Sequence, residues 1–244
     1  MDRTARALTE ADLHAYRHDG FVTVRGVLSP AEVEHLAAEC DRLWRVVRVD
    51  RSEPRVQWRG HVDGSMVADR LDPVLDLSPP FDRVARDSWF LAAAGRVLGE
   101  PAVVFKAKLI MKRPGTMGYG MHQDYPYWEF LGAPAGDYVI AFVAIDRFDA
   151  ESGATEMFRG YHGAHVPPPP DDPLDTDERH IDPGRGVLME LAPGDVTLMH
   201  SLTPHRSAPN TSLHGRRSLI LTYVAARHAD LGARYERGRP RAAG

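Results

Sequence analysis

The sequence predicts a mainly β domain with flanking helices, a barrel or jelly roll behind an N-terminal helical portion. Two observations carry this. From Ala102 onward the chain is written in short β-branched or apolar runs (VVFKAKLIMK, YVIAFVAID, ATEMF, GVLMEL, DVTLMHS, RSLILTYV) separated by Gly, Pro and Asp turns, the pattern of a closed or sandwiched antiparallel sheet. Ahead of them, helix start and stop signals recur at helical spacing. At 244 residues one domain is the default. We therefore expect a single unit over 1–244, with a mainly helical flank and loops over 1–100, a jelly-roll core over 101–226 and a C-terminal tail over 227–244.

In the flank, Thr9 stands three residues before Asp12, so hydroxyl and carboxylate can each satisfy the other's backbone N–H, and Gly20 ends that helix. FVTVRGVL (21–28) reads as a strand. Ser29, Pro30 and Glu32 start a second helix running to about Val47, with Val33, Leu36, Ala37, Cys40, Leu43 and Trp44 on its buried face. Residues 48–85 mix charge, Pro and Gly without sustained periodicity and read as long loops. Asp87 to Leu98, closed by Gly99, reads as a third helix, and the acidic, proline-rich stretch over 167–186 reads as a surface loop or lid.

With 43% hydrophobic and 26% charged residues the chain has the means to bury a core. Its net charge of −4 and scattered Lys and Arg argue against nucleic-acid or membrane partners and for a small molecule. Oligomeric state is not legible. Cys40 is the single cysteine, so no internal disulfide forms and its place in an apolar helical pattern makes it packing. The N-terminal segment lacks the apolar stretch of a secretory signal, and no run of ~18 apolar residues suggests a membrane span. We expect a cytoplasmic protein.

The segment MHQDYPYW holds the chemistry. His122 and Asp124 are one residue apart, so on extended backbone both side chains leave the same face. Imidazole nitrogen and carboxylate oxygen suit iron(II), and a two-histidine, one-carboxylate set leaves coordination positions open for a chelating cosubstrate and O2. An isolated H-x-D is weak, being more often a hydrogen-bonded turn, but this one follows a strand and a Gly-rich turn and precedes aromatics, as a site at a barrel mouth would. Tyr125, Tyr127 and Trp128 are the candidates for a substrate wall, with Arg59 a further one. Downstream, Arg216 and Arg217 open a very apolar strand; a buried guanidinium there needs an anion, and the distal carboxylate of 2-oxoglutarate would supply it. Lys106 and Lys108 share a face of another apolar strand and need anions if that face is interior: one to touch 2-oxoglutarate, or an acidic substrate.

The second half of the chain resembles the phytanoyl-CoA dioxygenase family, which includes ectoine hydroxylase. The matching features run in order: Lys112 to Gly115 upstream of His122 and Asp124, the run AIDRFDAESGATEMFRGYHGAH, Gly194 and Asp195 before a strand, then His205, Ser207, Asn210 and Arg216. The likeness is close over about 102–225, with Ser152 and Gly153 at the family's asparagine-glycine turn and Tyr161 replacing its serine. It implies a double-stranded β-helix (jelly roll, cupin-like), with iron(II), 2-oxoglutarate and O2 as reagents and ascorbate in support. It also implies His205 as third metal ligand, because the family's distal histidine precedes its 2-oxoglutarate arginine by the spacing that separates His205 from Arg216. His200 remains the runner-up, and His214 falls in a turn facing solvent.

By the same likeness Arg216 clamps the cosubstrate, Ser218 shares its face, Ser207 reaches the cosubstrate, and Arg217 points away to solvent. A retained Asp124 implies oxygenation, where halogenases of this scaffold have a small residue. The implied activity is oxidation, foremost hydroxylation, of an unactivated C–H bond of a small metabolite, with release of succinate and CO2. A polar or amphipathic free metabolite suits the chain better than an acyl-CoA, since no long basic groove is visible. The alternatives are a non-catalytic cupin-like metal or small-molecule binding protein, and a metal hydrolase, for which no general base stands out.

Overall fold

Strands β4 (Ala102–Lys112) and β11 (Arg216–Ala225) are the spine of the fold, paired antiparallel from Arg216 opposite Lys112 to Ala225 opposite Ala102. The computed structural model describes residues 7–47 and 53–238. Around the spine, β1 (Phe21–Val24), β9 (Val196–His200), β6 (Tyr138–Ala144), β3 (Met66–Leu71) and β2 (Val56–Gly60) complete a seven-stranded sheet in the order β1-β9-β6-β11-β4-β3-β2. A four-stranded sheet of β5 (Tyr119–His122), β10 (His205–Ser207), β7 (Thr155–Phe158) and β8 (Gly186–Leu188) faces it. Every strand pairing is antiparallel.

The two-residue period of the spine sorts its side chains into two cores. Ala107, Leu109, Met111, Leu219 and Leu221 point outward onto the helices α1 (Glu10–Asp19), α2 (Pro30–Val47), α3 (Pro79–Ala85) and α4 (Ser88–Leu98). Ile110, Ile220, Ile140 and Phe142 point inward and join Met157 of the small sheet, which makes the sandwich a double-stranded β-helix. Leu109 and Leu221 are fully buried, each contributing about 1.5–3 kcal/mol. The inward face also carries Lys106, Lys108 and Lys112 on β4 and Arg216 and Ser218 on β11, so the polar interruptions of two apolar strands converge between the sheets.

The expected caps form. Thr9 accepts from Asp12 N while the Asp12 carboxylate accepts from Thr9 N at 2.8 Å, and Ser29 and Glu32 make the same reciprocal pair. Gly20 closes α1 with φ 89°, where an added Cβ would lie 2.6 Å from Thr203 Oγ1. On α2, Leu36, Cys40 and Leu43 are buried, and burial pushes the Cys40 thiol up to about 12.

Three expectations need correction. The first strand stops at Val24, because the backbone turns at Gly26 (φ 58°) and Gly26 N donates to Asp195 Oδ1. Residues 48–85, expected as loops, contain the β2–β3 hairpin and α3, with 48–52 outside the described residues. Their strands are short and carry Arg59, Asp69 and Arg70 towards the interior, which hides the apolar alternation. The expected tail includes a fifth helix, α5 (Leu231–Gly238), whose Tyr235 packs on Phe105; residues 239–244 lie outside the description. The 167–186 stretch is a loop with two 3-10 turns, held at the small sheet by Thr176 N donating to Met121 O and by the His122–Asp175 bridge. No described helix is long and apolar enough to cross a membrane.

Candidate active site

His122 ends β5 and His205 begins β10, directly opposite each other in the antiparallel pairing. Asp124 follows in the turn after β5, and the ligand atoms of all three lie within 4.8 Å of one another. The intervening Gln123 sets this arrangement. Fully buried on the other side of the chain, it donates to Ala164 O and Leu202 O and accepts from Val166 N, so its two neighbours are turned to the site. His122 Nδ1 donates to Gly120 O at 2.8 Å and His205 Nδ1 to Thr203 O at 3.0 Å. These bonds fix both tautomers and leave each Nε2 with a free lone pair.

Burial, then the neighbouring His205, lowers His122 to about 3, and burial likewise lowers His205, so both imidazoles are neutral near pH 7. Burial by itself would raise Asp124, but Lys108 at 3.8 Å holds it down at about 2. Two neutral imidazoles and one ionised carboxylate at this spacing fit iron(II).

Beneath the ligands is a narrow inner pocket lined by Ile110, Phe142, Thr155, Ser207, Arg216 and Ser218, among others. Arg216 is 3% exposed, its guanidinium sits 4.4 Å from the Phe148 ring centroid, and its Nε has no hydrogen-bond partner among the described residues. Burial lowers it to about 10 against the opposing pull of Asp69, and among the described residues no carboxylate forms an ion pair with it. Such a group calls for an anionic ligand. Lys112, which sequence reasoning used only as a motif position, lies fully buried beside it and donates to Gly153 O, Ala208 O and Ser207 Oγ. Ser207 Oγ also accepts from Tyr119 N at 3.2 Å, so its own proton is left to donate.

A wider outer cleft of about 490 Å³ opens above the ligands. Lys108, Tyr127, Trp128 and Arg59 line it. Tyr127 is 39% exposed, whereas Trp128 is mostly core, edge-on to Phe105 at 5.3 Å. Arg59 stacks over Tyr119 and donates to Gly118 O. Lys106, expected at the cosubstrate, is placed in this cleft instead, donating to Asp72 and to the Tyr235 hydroxyl. Tyr125 lines neither space: its hydroxyl donates to Ala133 O and its ring packs on Tyr138.

His200 is remote from the ligand set, against His162 on the other side of β9. Arg217 does leave the interior, but it meets Asp146 and Asp41 rather than solvent, tying β11 to α2. His214 is exposed in its turn. The residues that sequence reasoning missed are Arg70, Asp72, Asp175 and Tyr235, all in the cleft. They come from segments with no periodicity to read, although the alternation in MVADRL could have flagged a strand. A larger cleft of about 700 Å³ around Cys40, Trp44 and Arg217 contains none of the three ligands.

A jelly roll with two histidines and a carboxylate at its mouth and a buried arginine below them defines the iron(II)- and 2-oxoglutarate-dependent oxygenases. The chain matches the phytanoyl-CoA dioxygenase model over residues 16–218 and belongs to that family. It is 26% identical over 234 residues to a methylphosphonate hydroxylase of Gimesia maris, covering 93% of this chain and 85% of the relative. Among solved structures, the epimerase SnoN in complex with Fe3+, alpha ketoglutarate and nogalamycin RO superposes with a TM-score of 0.74 at 26% identity, over 92% of this chain and 85% of that one. EctD of S. alaskensis with 2-oxoglutarate and 5-hydroxyectoine gives 0.73 at 18% identity, over 90% and 77%, a likeness of fold. The chain is an iron- and 2-oxoglutarate-dependent dioxygenase.

Proposed function

We propose that this dioxygenase hydroxylates a C–H bond of a small polar metabolite, with release of succinate and CO2. His122, Asp124 and His205 hold the iron; Arg216, Ser207 and Ser218 hold the 2-oxoglutarate. The observation that carries this reading is the convergence of the three ligand atoms within 4.8 Å above a buried Arg216 whose Nε is unpaired. When bound, iron and 2-oxoglutarate together activate O2 and provide the oxidising power. The chain's own residues position and exclude water.

Arg216 offers a fork that matches the distal carboxylate of 2-oxoglutarate, with Ser207 able to donate beside it. Phe142, Ile110 and Ile220 line the inner pocket with apolar surface. Gln123 and the carbonyls of Gly120 and Thr203 keep the ligands in orientation. Lys108 and Tyr127 present the substrate. The carboxylate of Asp124 favours oxygenation over halogenation. A relative that hydroxylates methylphosphonate supports a small polar substrate over a bulky one.

The test is anaerobic titration of the iron(II) protein with 2-oxoglutarate, followed by O2 uptake and succinate release. We expect a visible charge-transfer band that Asp124→Ala and His205→Ala abolish, and succinate release that both variants lose. Normal turnover in either variant would overturn the ligand assignment. An iron-binding wild type without 2-oxoglutarate-dependent O2 uptake would leave a binding protein.

A further inference from the structure

We infer that the outer cleft selects an anionic substrate, whose acidic head group is held by Arg70 of β3 and Lys108 of β4. This rests on the reading of the metal and cosubstrate sites given above. Of the cations in the cleft, Lys106 is matched by Asp72 at 3.1 Å, and Arg59 by Asp69 at 3.5 Å together with Gly118 O. Arg70 is different. Among the described residues it has no hydrogen bond or ion pair, and its Nε is buried without a partner. Lys108 is largely buried, and the nearest anion to its Nζ is Asp124 Oδ1 at 3.8 Å, an oxygen group that faces the metal.

Charge balance makes the point sharper. The two positive charges of iron(II) and the one on Arg216 offset Asp124 and both carboxylates of 2-oxoglutarate. Asp175 also lines the cleft but forms no ion pair with Arg70 or Lys108 among the described residues, so these two cations keep no direct partner after metal and cosubstrate are seated. Uncompensated cations in a partly dry cleft are costly, and an anion that meets both recovers that cost. Arg70 provides a planar fork and Lys108 a compact point charge, a pairing suited to the oxygens of a phosphonate or a carboxylate. Both residues stand at the boundary of the two spaces, lining the outer cleft with Tyr127 and also the inner pocket, and the Arg70 charge acts on Tyr127 and Lys108. The cosubstrate clamp Arg216 lines only the inner pocket of the two.

The experiment is anaerobic calorimetry on the iron(II) protein saturated with 2-oxoglutarate, so that the inner pocket is filled. The probes are ethylphosphonate, propylphosphonate and butyrate, with butyramide as the uncharged counterpart. At least one anion should bind, and butyramide at least about tenfold more weakly than butyrate or the phosphonates. Arg70→Gln and Lys108→Met should each weaken the anion by about tenfold or more, and Arg70→Gln should leave the affinity for 2-oxoglutarate within about twofold.

Equal binding of amide and anions, or no anion binding at all, overturns the inference. So does an Arg70→Gln variant that weakens 2-oxoglutarate and spares the probes, which would give Arg70 to the cosubstrate. Should Lys108→Met fail to fold, Arg70→Gln decides alone. If no charge-transfer band forms with 2-oxoglutarate, the functional reading fails instead, and probe titration of the metal-free wild type and Arg70→Gln proteins still decides whether this pair binds anions.

Discussion

His205 lies directly across the β5–β10 ladder from His122, the two ring centroids 4.1 Å apart. Opposed residues of an antiparallel pair have Cβ atoms about 4.5–5.5 Å apart, so the register of a very short ladder brings together two ligands remote in sequence. Asp124 joins them from the turn, while Arg216 and Lys108 reach in from the opposite sheet. The metal ligands therefore lie on and beside the small sheet and the cosubstrate arginine on the large one, so the effects of losing a ligand and of losing Arg216 should separate on mutation.

On the small sheet, His205→Ala should lower iron(II) affinity by more than about 100-fold, beyond the range seen for residues that only orient ligands. Thermal unfolding of the metal-free protein should change little by comparison. Metal titration of wild type and variant, paired with melting curves, checks this; unchanged iron affinity would remove His205 from the ligand set.

On the large sheet, the adjacent arginines should behave oppositely. Arg216→Met removes the unpaired cation of the inner pocket and should raise the Kd for 2-oxoglutarate by about 2–3 kcal/mol, roughly 30- to 150-fold, while stability holds or rises. Arg217→Met breaks the pairs with Asp146 after β6 and with Asp41 on α2, and should lower stability by about 1–2 kcal/mol with 2-oxoglutarate affinity unchanged. Calorimetry and denaturant unfolding on both proteins separate the outcomes.

This contrast shows what the sequence could and could not disclose. The core strands and capped helices were legible because one period governs each of them: Leu109 and Leu221 alternate with Ile110 and Ile220, and Leu36, Cys40 and Leu43 recur at helical spacing. Arg216 was separable from Arg217 by the family's spacing from the distal histidine, after which alternation sends Arg217 to the opposite face. The cleft was not legible in the same way. Arg70, Asp72 and Tyr235 come from a short hairpin, the turn after it and a C-terminal helix, and their convergence depends on tertiary packing that no local period encodes. Lys106 had the right parity, but the sequence held no sign that Asp72 would meet it. Tyr125 was grouped with Tyr127 by adjacency, yet the 3-10 turn over Tyr125–Tyr127 sends their rings to different surroundings.

Gln123 is the residue by which the ligand turn is fastened to the chain over 164–166 and 202. Gln123→Leu keeps the volume and removes the amide, leaving the Ala164 and Leu202 carbonyls and the Val166 N–H short of a partner. Unsatisfied buried groups cost about 1–3 kcal/mol each, so unfolding free energy should drop by at least that much. Iron affinity should fall by about 10- to 100-fold although no ligand has changed. Unaltered metal affinity in a destabilised variant would show that Gln123 serves the fold alone.

Acid should destabilise the metal-free protein through its buried imidazoles. Burial, and then the neighbouring His162, lowers His200 from 6.5 to about 4. The unfolded chain thus takes up this proton near pH 6.5 while the folded chain resists until about pH 4. The stability that a neutral His200 contributes is complete above the higher value and is lost as the pH falls through that window. His122, lowered to about 3, acts in the same direction and extends the loss further into acid. For His200, which is partly screened by solvent, the loss should be about 2 kcal/mol. Denaturant unfolding of wild type and His200→Gln at pH 7 and at pH 4 isolates that share. The variant should lose less stability than wild type between the two, whereas parallel losses would mean that His200 is not held neutral by the fold.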